Sequence, residues 1–362
     1  MKILVFALSG IGDALMFTPA MKLLRESLPD ARITAVVMFG AVRDIYERTG
    51  LFSEVVHFDF LKQGAVNSLR FVLSLRTRVP GGYDYAVNVY PSNRKEYNII
   101  SFLSGARKRA GVRYLRADSA NLGFLNNLTV REDDNLHNAE ENVKLAELIT
   151  GKKFTDIPPY HFPLNETDEN FAGKFLEDNP LTAEKGFIGF HPGCATMKNH
   201  IMRRWEPEKF AELASLINAE LDMDVLLFGG PEEAELRKSI LDMTAGRRVF
   251  EVKSRNIAES AALIKRSRAF VTNDSSLMHI SSAMGANVLA IIGPTNTNYI
   301  KPWKTNYFIS SLQLECAPCF IYSPAPLSCS RKDVQYKCIR ELDVRKVFED
   351  LKKFMAQFNS GT

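Results

Sequence analysis

A rhythm constrains this chain more than any single residue does. Short apolar runs, each ending in glycine or small polar residues, alternate with helical patterns. In the N-terminal half the runs are Lys2 to Leu8, Arg32 to Met38, Val55 to Phe58, Tyr85 to Val89 and Arg109 to Val112. After an interruption they resume at Phe187 to Phe190, Val225 to Phe228, Arg248 to Val252, Ala269 to Thr272 and Val288 to Ile292. Strands separated by helices form parallel sheets, because a parallel neighbour is reached only through a crossover. The rhythm therefore predicts an α/β chain in two similar halves. Asp156-Ile157-Pro158-Pro159 and the polar stretch Asn165 to Asp168 interrupt it, which predicts domains over 1–165 and 166–342. In the remaining segment, 343–362, Val344, Val347, Phe348, Leu351, Phe354, Met355 and Phe358 share one helical face. We read it as a packing helix, with membrane contact through Lys346, Lys352 and Lys353 as the alternative.

A length of 362 residues suits two domains, and 46% hydrophobic with 24% charged residues is enough for a substantial core. The net charge of +4 is too small to argue for a nucleic-acid partner. Met1 leads directly into a charged residue and a strand, and no apolar run approaches a membrane span. These features predict a cytoplasmic protein, peripheral at most to the inner face of a membrane.

The chemistry-bearing clusters sit where the runs end. Asn273-Asp274-Ser275-Ser276 closes one run and opens a helical pattern through Leu277 and Ile280, with His279 inside it. A helix start gathers unpaired N–H groups and the positive end of the helix dipole, which suits a phosphate. The plainer reading is that Asp274 or Ser275 caps the helix. Gly10-Ile11-Gly12-Asp13 follows the first run, His191-Pro192-Gly193 the sixth and Phe228-Gly229-Gly230-Pro231-Glu232-Glu233 the seventh. Open α/β sheets bind ligands at such strand ends. In Gly10-x-Gly12 we expect the glycines to allow a sharp turn, with Asp13 either a helix-start charge or a catalytic base.

Gly10-Ile11-Gly12-Asp13-Ala14-Leu15 with Thr18-Pro19, His191-Pro192-Gly193, Arg203-Arg204-Trp205, Gly230-Pro231-Glu232-Glu233, Asn273-Asp274-Ser275 with His279, and Gly293-Pro294-Thr295 together resemble the glycosyltransferase family 9 heptosyltransferases. Ser104 to Gly111 and the region of His137 add to the resemblance. It implies the glycosyltransferase B fold: two Rossmann-like domains whose parallel sheets face an interdomain cleft. It further implies inverting transfer from ADP-heptose, or a related sugar nucleotide, to a lipopolysaccharide-type acceptor at the membrane surface, with no cofactor for the chemistry. Asp13 falls on the general base. Gly12, Thr196, Lys198, Arg203, Glu233, Asp274, Ser275, Ser276 and His279 fall on the donor side, Arg203 where the family carries a phosphate-binding lysine and Glu233 on the ribose-binding acid. Ser276 departs from the glycine usual there.

The residue types suit that reaction. Displacement needs a base for the acceptor hydroxyl and positive charge for the departing diphosphate. Asp13 can serve as the first, and Arg203, Lys198 and the helix start after Asp274 as the second. Arg94, Arg107, Arg109 and Arg113 belong to a basic concentration suited to an anionic acceptor, or equally to a solvated face.

Cys316, Cys319, Cys329 and Cys338 cluster in a long loop, which predicts a structural metal, zinc or iron, with no metal as the alternative. In autotransporter-modifying relatives such a cluster resembles a metal finger. Three other functions stay open: heptosyl transfer to protein Ser or Thr, a sugar-nucleotide epimerase of similar fold, and a nucleotide-binding protein without catalysis.

Overall fold

The computed structural model describes residues 1–179, 181, 186–321 and 326–359. Parallel pairing orders everything else. The chain divides into two compact units, Met1–Pro163 and Leu164–Thr362.

Unit 1 runs β1 (Lys2–Ala7), α1 (Ile11–Ser27), β2 (Arg32–Val37), α2 (Gly40–Thr49), β3 (Glu54–His57), α3 (Ala65–Arg78), β4 (Tyr85–Asn88), α4 (Lys95–Leu103), β5 (Lys108–Arg113), β6 (Leu128–Arg131) and α5 (Asn138–Thr150). Its strands lie in the order β3-β2-β1-β4-β5-β6, all parallel. Strands β1 and β2 are buried almost throughout, as expected for a sheet with helices on both faces. Helices α2 and α5 stop at Gly50 and Gly151, whose φ values of 66° and 70° are in the left-handed region that glycine adopts without strain.

Unit 2 runs α6 (Glu166–Asp178), β7 (Phe187–His191), α7 (Pro207–Leu216), β8 (Asp224–Leu227), α8 (Ala234–Met243), β9 (Val249–Glu251), α9 (Ile257–Ile264), β10 (Ala269–Asn273), α10 (Ser276–Ala283), β11 (Val288–Ile291), α11 (Thr297–Ile300), β12 (Tyr307–Ser310), α12 (Lys337–Arg340) and α13 (Val344–Asn359). The order is β12-β11-β10-β7-β8-β9, again parallel. Val344, Val347, Phe348, Leu351 and Phe354 of α13 join the core formed by β7, β8, α7 and Trp205. The Trp205 indole N–H donates to the Leu342 carbonyl at 3.0 Å, which pins the start of α13.

The ten expected strands are all present, and β6 and β12 are two more that the rhythm does not predict. Both are edge strands with much of their surface open, so neither carries a strong apolar run. Among the described residues no helix is long and apolar enough to cross a membrane.

Candidate functional site

In unit 2, β11, β10, β7 and β8 are consecutive neighbours, so the turns after them stand side by side along one sheet edge. Those turns are Gly293-Pro294-Thr295, Asp274-Ser275, His191-Pro192-Gly193 and Phe228-Gly229-Gly230. Their polar side chains are bonded to one another. The Arg203 guanidinium donates to Asp274 Oδ2, and Thr295 Oγ1 donates to the same oxygen at 2.7 Å. Burial opposes ionisation of Asp274, but the Arg203 charge and the Thr295 hydroxyl outweigh it and hold the carboxyl below the usual range. Arg203 is placed from two further directions. Its Nη2 donates to His200 Nδ1 at 3.2 Å, its guanidinium lies 5.6 Å from the Phe320 ring centre, and His200 meets the same ring edge-on at 5.2 Å. Burial, with Arg203 adding to it, lowers His200 to about 4. Burial also lowers His279 to about 4 despite Asp274. Both imidazoles are neutral near pH 7.

His191 forms a second link. One ring nitrogen meets Glu233 Oε2 at 3.0 Å and the other meets Ser275 Oγ at 2.8 Å, which in turn meets Thr272 Oγ1 at 3.0 Å. Ser275 therefore makes no side-chain bond to its own helix, although it occupies the N-cap position of α10. The plainer reading of this cluster as a helix cap is not what forms. The first-turn N–H groups of α10 keep the anion-binding character of a helix start. Glu233 is turned inward: Oε2 also accepts the Gly230 N–H at 2.9 Å, and a methyl added at Gly193 would stand 1.6 Å from Oε1. Gly193 is thus required by close approach. Burial opposes the charge on Glu233 and His191 stabilises it, with a lowered carboxyl as the net result.

Lys198 and Asn199 adopt left-handed φ values of 55° and 62° in the 3₁₀ segment Met197–Arg203. The cysteine-bearing loop supports them. Leu327 N–H donates to the Lys198 carbonyl at 2.9 Å, and Asn199 Nδ2 donates to the Leu327 carbonyl at 2.9 Å. Thr196 is exposed and Lys198 half-buried.

In unit 1, Asp13 lies half-buried in the first turn of α1, at the positive end of that helix. Neither Gly10 nor Gly12 has a positive φ, and a methyl at Gly10 would meet nothing within 4 Å. The turn at these glycines is made without left-handed backbone, and Gly10 leaves open space on its surface. Three tyrosines feel the charge of the Asp13 carboxylate. Burial, with Asp13 adding to it, holds the Tyr46 and Tyr160 hydroxyls well above the usual phenol range. Burial lifts Tyr97 to about 12, with Arg94 opposing and Asp13 and Glu96 adding. Its hydroxyl donates to the Leu8 carbonyl at 2.7 Å.

The basic concentration of the sequence is divided by strand direction. Arg94 precedes α4 and Arg113 ends β5, so both belong to the sheet edge that carries Asp13. Arg107 and Arg109 stand at the start of β5, about 13–20 Å from Arg113 along a strand rising ~3.3 Å per residue. The Arg109 guanidinium donates to the carbonyls of Leu125 and Ala106 and lies over Phe102, so it holds a loop in place. The four arginines do not form one patch.

The metal expectation is also corrected. Among the described residues no group of three or more His, Cys, Asp or Glu side chains could hold an ion. Cys316, Cys319, Cys329 and Cys338 are free thiols. Arg331 approaches Cys316 at 3.7 Å, the Tyr336 N–H donates to Cys329 at 3.3 Å, and Cys338 is buried beneath Gly293. Burial, with the thiols of Cys319, Cys329 and Cys316 adding to it, raises Cys338 to about 11, and burial with Cys316 and Cys329 raises Cys319.

A family model for glycosyltransferase family 9 (heptosyltransferase) matches residues 73–325, well over half of the chain. The chain belongs to glycosyltransferase family 9. Lipooligosaccharide heptosyltransferase 2 of Campylobacter jejuni serotype O:6 is 26% identical over 98% of this chain and 99% of its own length. Lipopolysaccharide heptosyltransferase 2 of Salmonella typhimurium is 28% identical over 83% of this chain and 85% of its own. The solved E. coli ADP-heptose lps heptosyltransferase II superposes with a TM-score of 0.71 at 21% identity, covering 99% of this chain and 100% of that one. The two six-stranded parallel sheets are therefore those of the glycosyltransferase B fold, as the motifs imply, and this family 9 member is a glycosyltransferase. Several of its site contacts escape the sequence motifs. Thr295 and His191 sit in recognised turns without an assigned partner, while Phe320 and Tyr97 carry no local signal at all.

Proposed function

We propose that this glycosyltransferase moves a heptose from ADP-heptose to an acceptor of the lipopolysaccharide core with inversion, Asp13 acting as general base. The observation that carries the reading is the edge of unit 2. There an ionised Asp274 holds Arg203 beside the start of α10, whose N-cap side chain is engaged elsewhere. Such a place suits a diphosphate, because both the guanidinium and the helix start favour negative charge.

In this mechanism the Asp13 carboxylate accepts the proton of the acceptor hydroxyl as its oxygen attacks the anomeric carbon. The bond from that carbon to the β-phosphate oxygen breaks, and its electron pair leaves with ADP. Arg203, Lys198 and the N–H groups of Ser276 and its neighbours take up the growing charge. Ser275 and Thr295 act through the partners they hold, and neutral His279 packs behind Asp274. Glu233 is assigned to the nucleoside side, where it braces His191 and the Gly230 turn. Thr196 and Gly12 are assigned to the donor side by their place in the motifs. Arg94 and Arg113, on the edge that carries Asp13, are the acceptor candidates of the original four. The heptosyltransferase 2 names of the full-length relatives favour a lipid-linked saccharide acceptor.

Purified protein incubated with ADP-heptose should release ADP only when a core acceptor is present. Acceptor-independent isomerisation of the sugar nucleotide would establish an epimerase. Transfer to a Ser or Thr peptide instead would establish protein modification.

A further inference from the structure

Helix α3 is apolar on both sides, which is unusual for a helix packed on one face of a sheet. Its inner side is accounted for. Val72 and Leu75 are buried, and Phe71 stacks on Phe58 with ring centres 4.0 Å apart. Its outer side carries Val66, Leu69 and Leu73, exposed by 63%, 47% and 39%, and the turn before it adds Leu61 at 64%. At about 100° per residue those three helix positions fall within ~60° of one another, so they make one stripe along the outer face. Arg70 lies beside that stripe and Lys62 beside Leu61.

Charge identifies the occupant. From Phe60 to Tyr83 the chain carries Lys62, Arg70, Arg76 and Arg78 and no Asp or Glu. Arg78 is paired with Glu54, and Arg76 donates to the Leu103 carbonyl at 2.8 Å. Lys62 and Arg70 remain to rim the stripe, Lys62 with its ammonium 3.5 Å from half-buried Asp59. A second copy of this face, related by a two-fold axis, would set these positive rims against each other. An apolar stripe between positive side chains instead fits the interface of an anionic bilayer, where the apolar groups enter the acyl boundary and the cations meet headgroups.

Topology gives the stripe a purpose. Helix α3 follows β3, so it begins at the sheet edge that carries Asp13 and Arg94, and it ends near the opposite edge, where Lys2 Nζ donates to the Pro80 carbonyl. Leu61, Val66 and Leu69 are therefore at the end of unit 1 that bears the proposed base.

We propose that the outer face of α3, with Leu61, Val66, Leu69, Leu73, Lys62 and Arg70, seats unit 1 on an anionic lipid surface. The seat delivers a lipid-linked acceptor to the Asp13 edge. Its role rests on the acceptor reading above, but the binding rests on the helix face alone.

The test is sedimentation of the full chain with phosphatidylcholine vesicles, with and without phosphatidylglycerol, in the absence of donor and acceptor. Binding should require the anionic lipid and weaken as salt rises. It should fall by about tenfold or more in the Val66→Ser/Leu69→Ser double variant and in Arg70→Glu, with thermal midpoints unchanged. A Leu69→Trp variant should shift its emission to the blue on addition of anionic vesicles. Both serine substitutions should leave transfer to a water-soluble acceptor unchanged and slow transfer to a vesicle-embedded one. Wild-type vesicle binding in all variants would overturn the proposal, as would a concentration-dependent dimer abolished by the same changes. Failure of acceptor-dependent ADP release would instead overturn the reaction and leave the vesicle result standing.

Discussion

The two units share a sheet plan and load its strand ends in opposite ways. At the edge of unit 2 nearly every charged side chain has a charged or polar partner: Asp274 with Arg203 and Thr295, Glu233 with His191 and the Gly230 N–H. At the edge of unit 1, Asp13 is only half-buried, its charge is felt by Tyr46, Tyr97 and Tyr160, and Gly10 leaves open space. The difference follows from the proposed tasks. A group that must hold a diphosphate works best when its charge and position are set in advance, and burial with an ion pair does both. A group that must take a proton has to reach substrate, and Asp13 is half-buried rather than enclosed.

The sharpest way to break this comparison is to remove each carboxylate in turn. Asp13→Asn should lower turnover by roughly two to four powers of ten while ADP affinity, read by calorimetry, stays near wild type. Equal loss of ADP binding would place Asp13 on the donor side instead. Asp274→Ala should act first on the fold. It strands the Arg203 guanidinium, 11% exposed, and should cost about 3–5 kcal/mol in a denaturant titration. A variant as stable as wild type would show that the pair is not the buried link described here.

The glycines supply a smaller, paired test. Gly193→Ala drives a methyl into Glu233 and should cost about 1–3 kcal/mol. Gly10→Ala meets open space at a φ of −77° and should stay within about 1 kcal/mol of wild type. Similar losses at both positions would remove the contrast between a filled edge and an open one.

The smallest effect concerns pH. His279 is lowered from 6.5 to about 4 in the folded chain, so between those values the unfolded chain binds more protons. Its contribution to stability is complete above pH 6.5 and is lost as pH falls toward 4. His279→Gln should flatten the stability profile within that window, followed by thermal melts. An unchanged slope would assign the acid sensitivity to other groups, His200 first among them.

Much of this was legible before any coordinates, and the parts that were not have a common cause. The ten strong strands and the turns after them are local patterns, but β6 and β12 are edge strands with little apolar signal. Asp13, Asp274 and Arg203 stand out as residue types in suggestive places. Their surroundings do not: Arg203 reaches Asp274 across 71 positions and shares Phe320 with His200. Seven basic residues close together in the sequence look like one patch, yet strand direction sends Arg107 and Arg109 to one sheet edge and Arg94 and Arg113 to the other. Four neighbouring cysteines look like a metal site, yet no three of them form one.

The amino-acid order alone settled that strands alternate with helices. Because every such crossover returns the chain in the same direction, it also settled that the polar turns collect at one end of each sheet. That follows from backbone hydrogen bonding and periodicity, which act over a few residues. Which side chains meet at that end, which carboxylate is buried and held ionised by a guanidinium and which stays half-buried at a helix start, was decided only when strands distant in sequence took their places side by side. Distances of a few ångströms, and the burial that gives charge its cost, exist only in the folded chain.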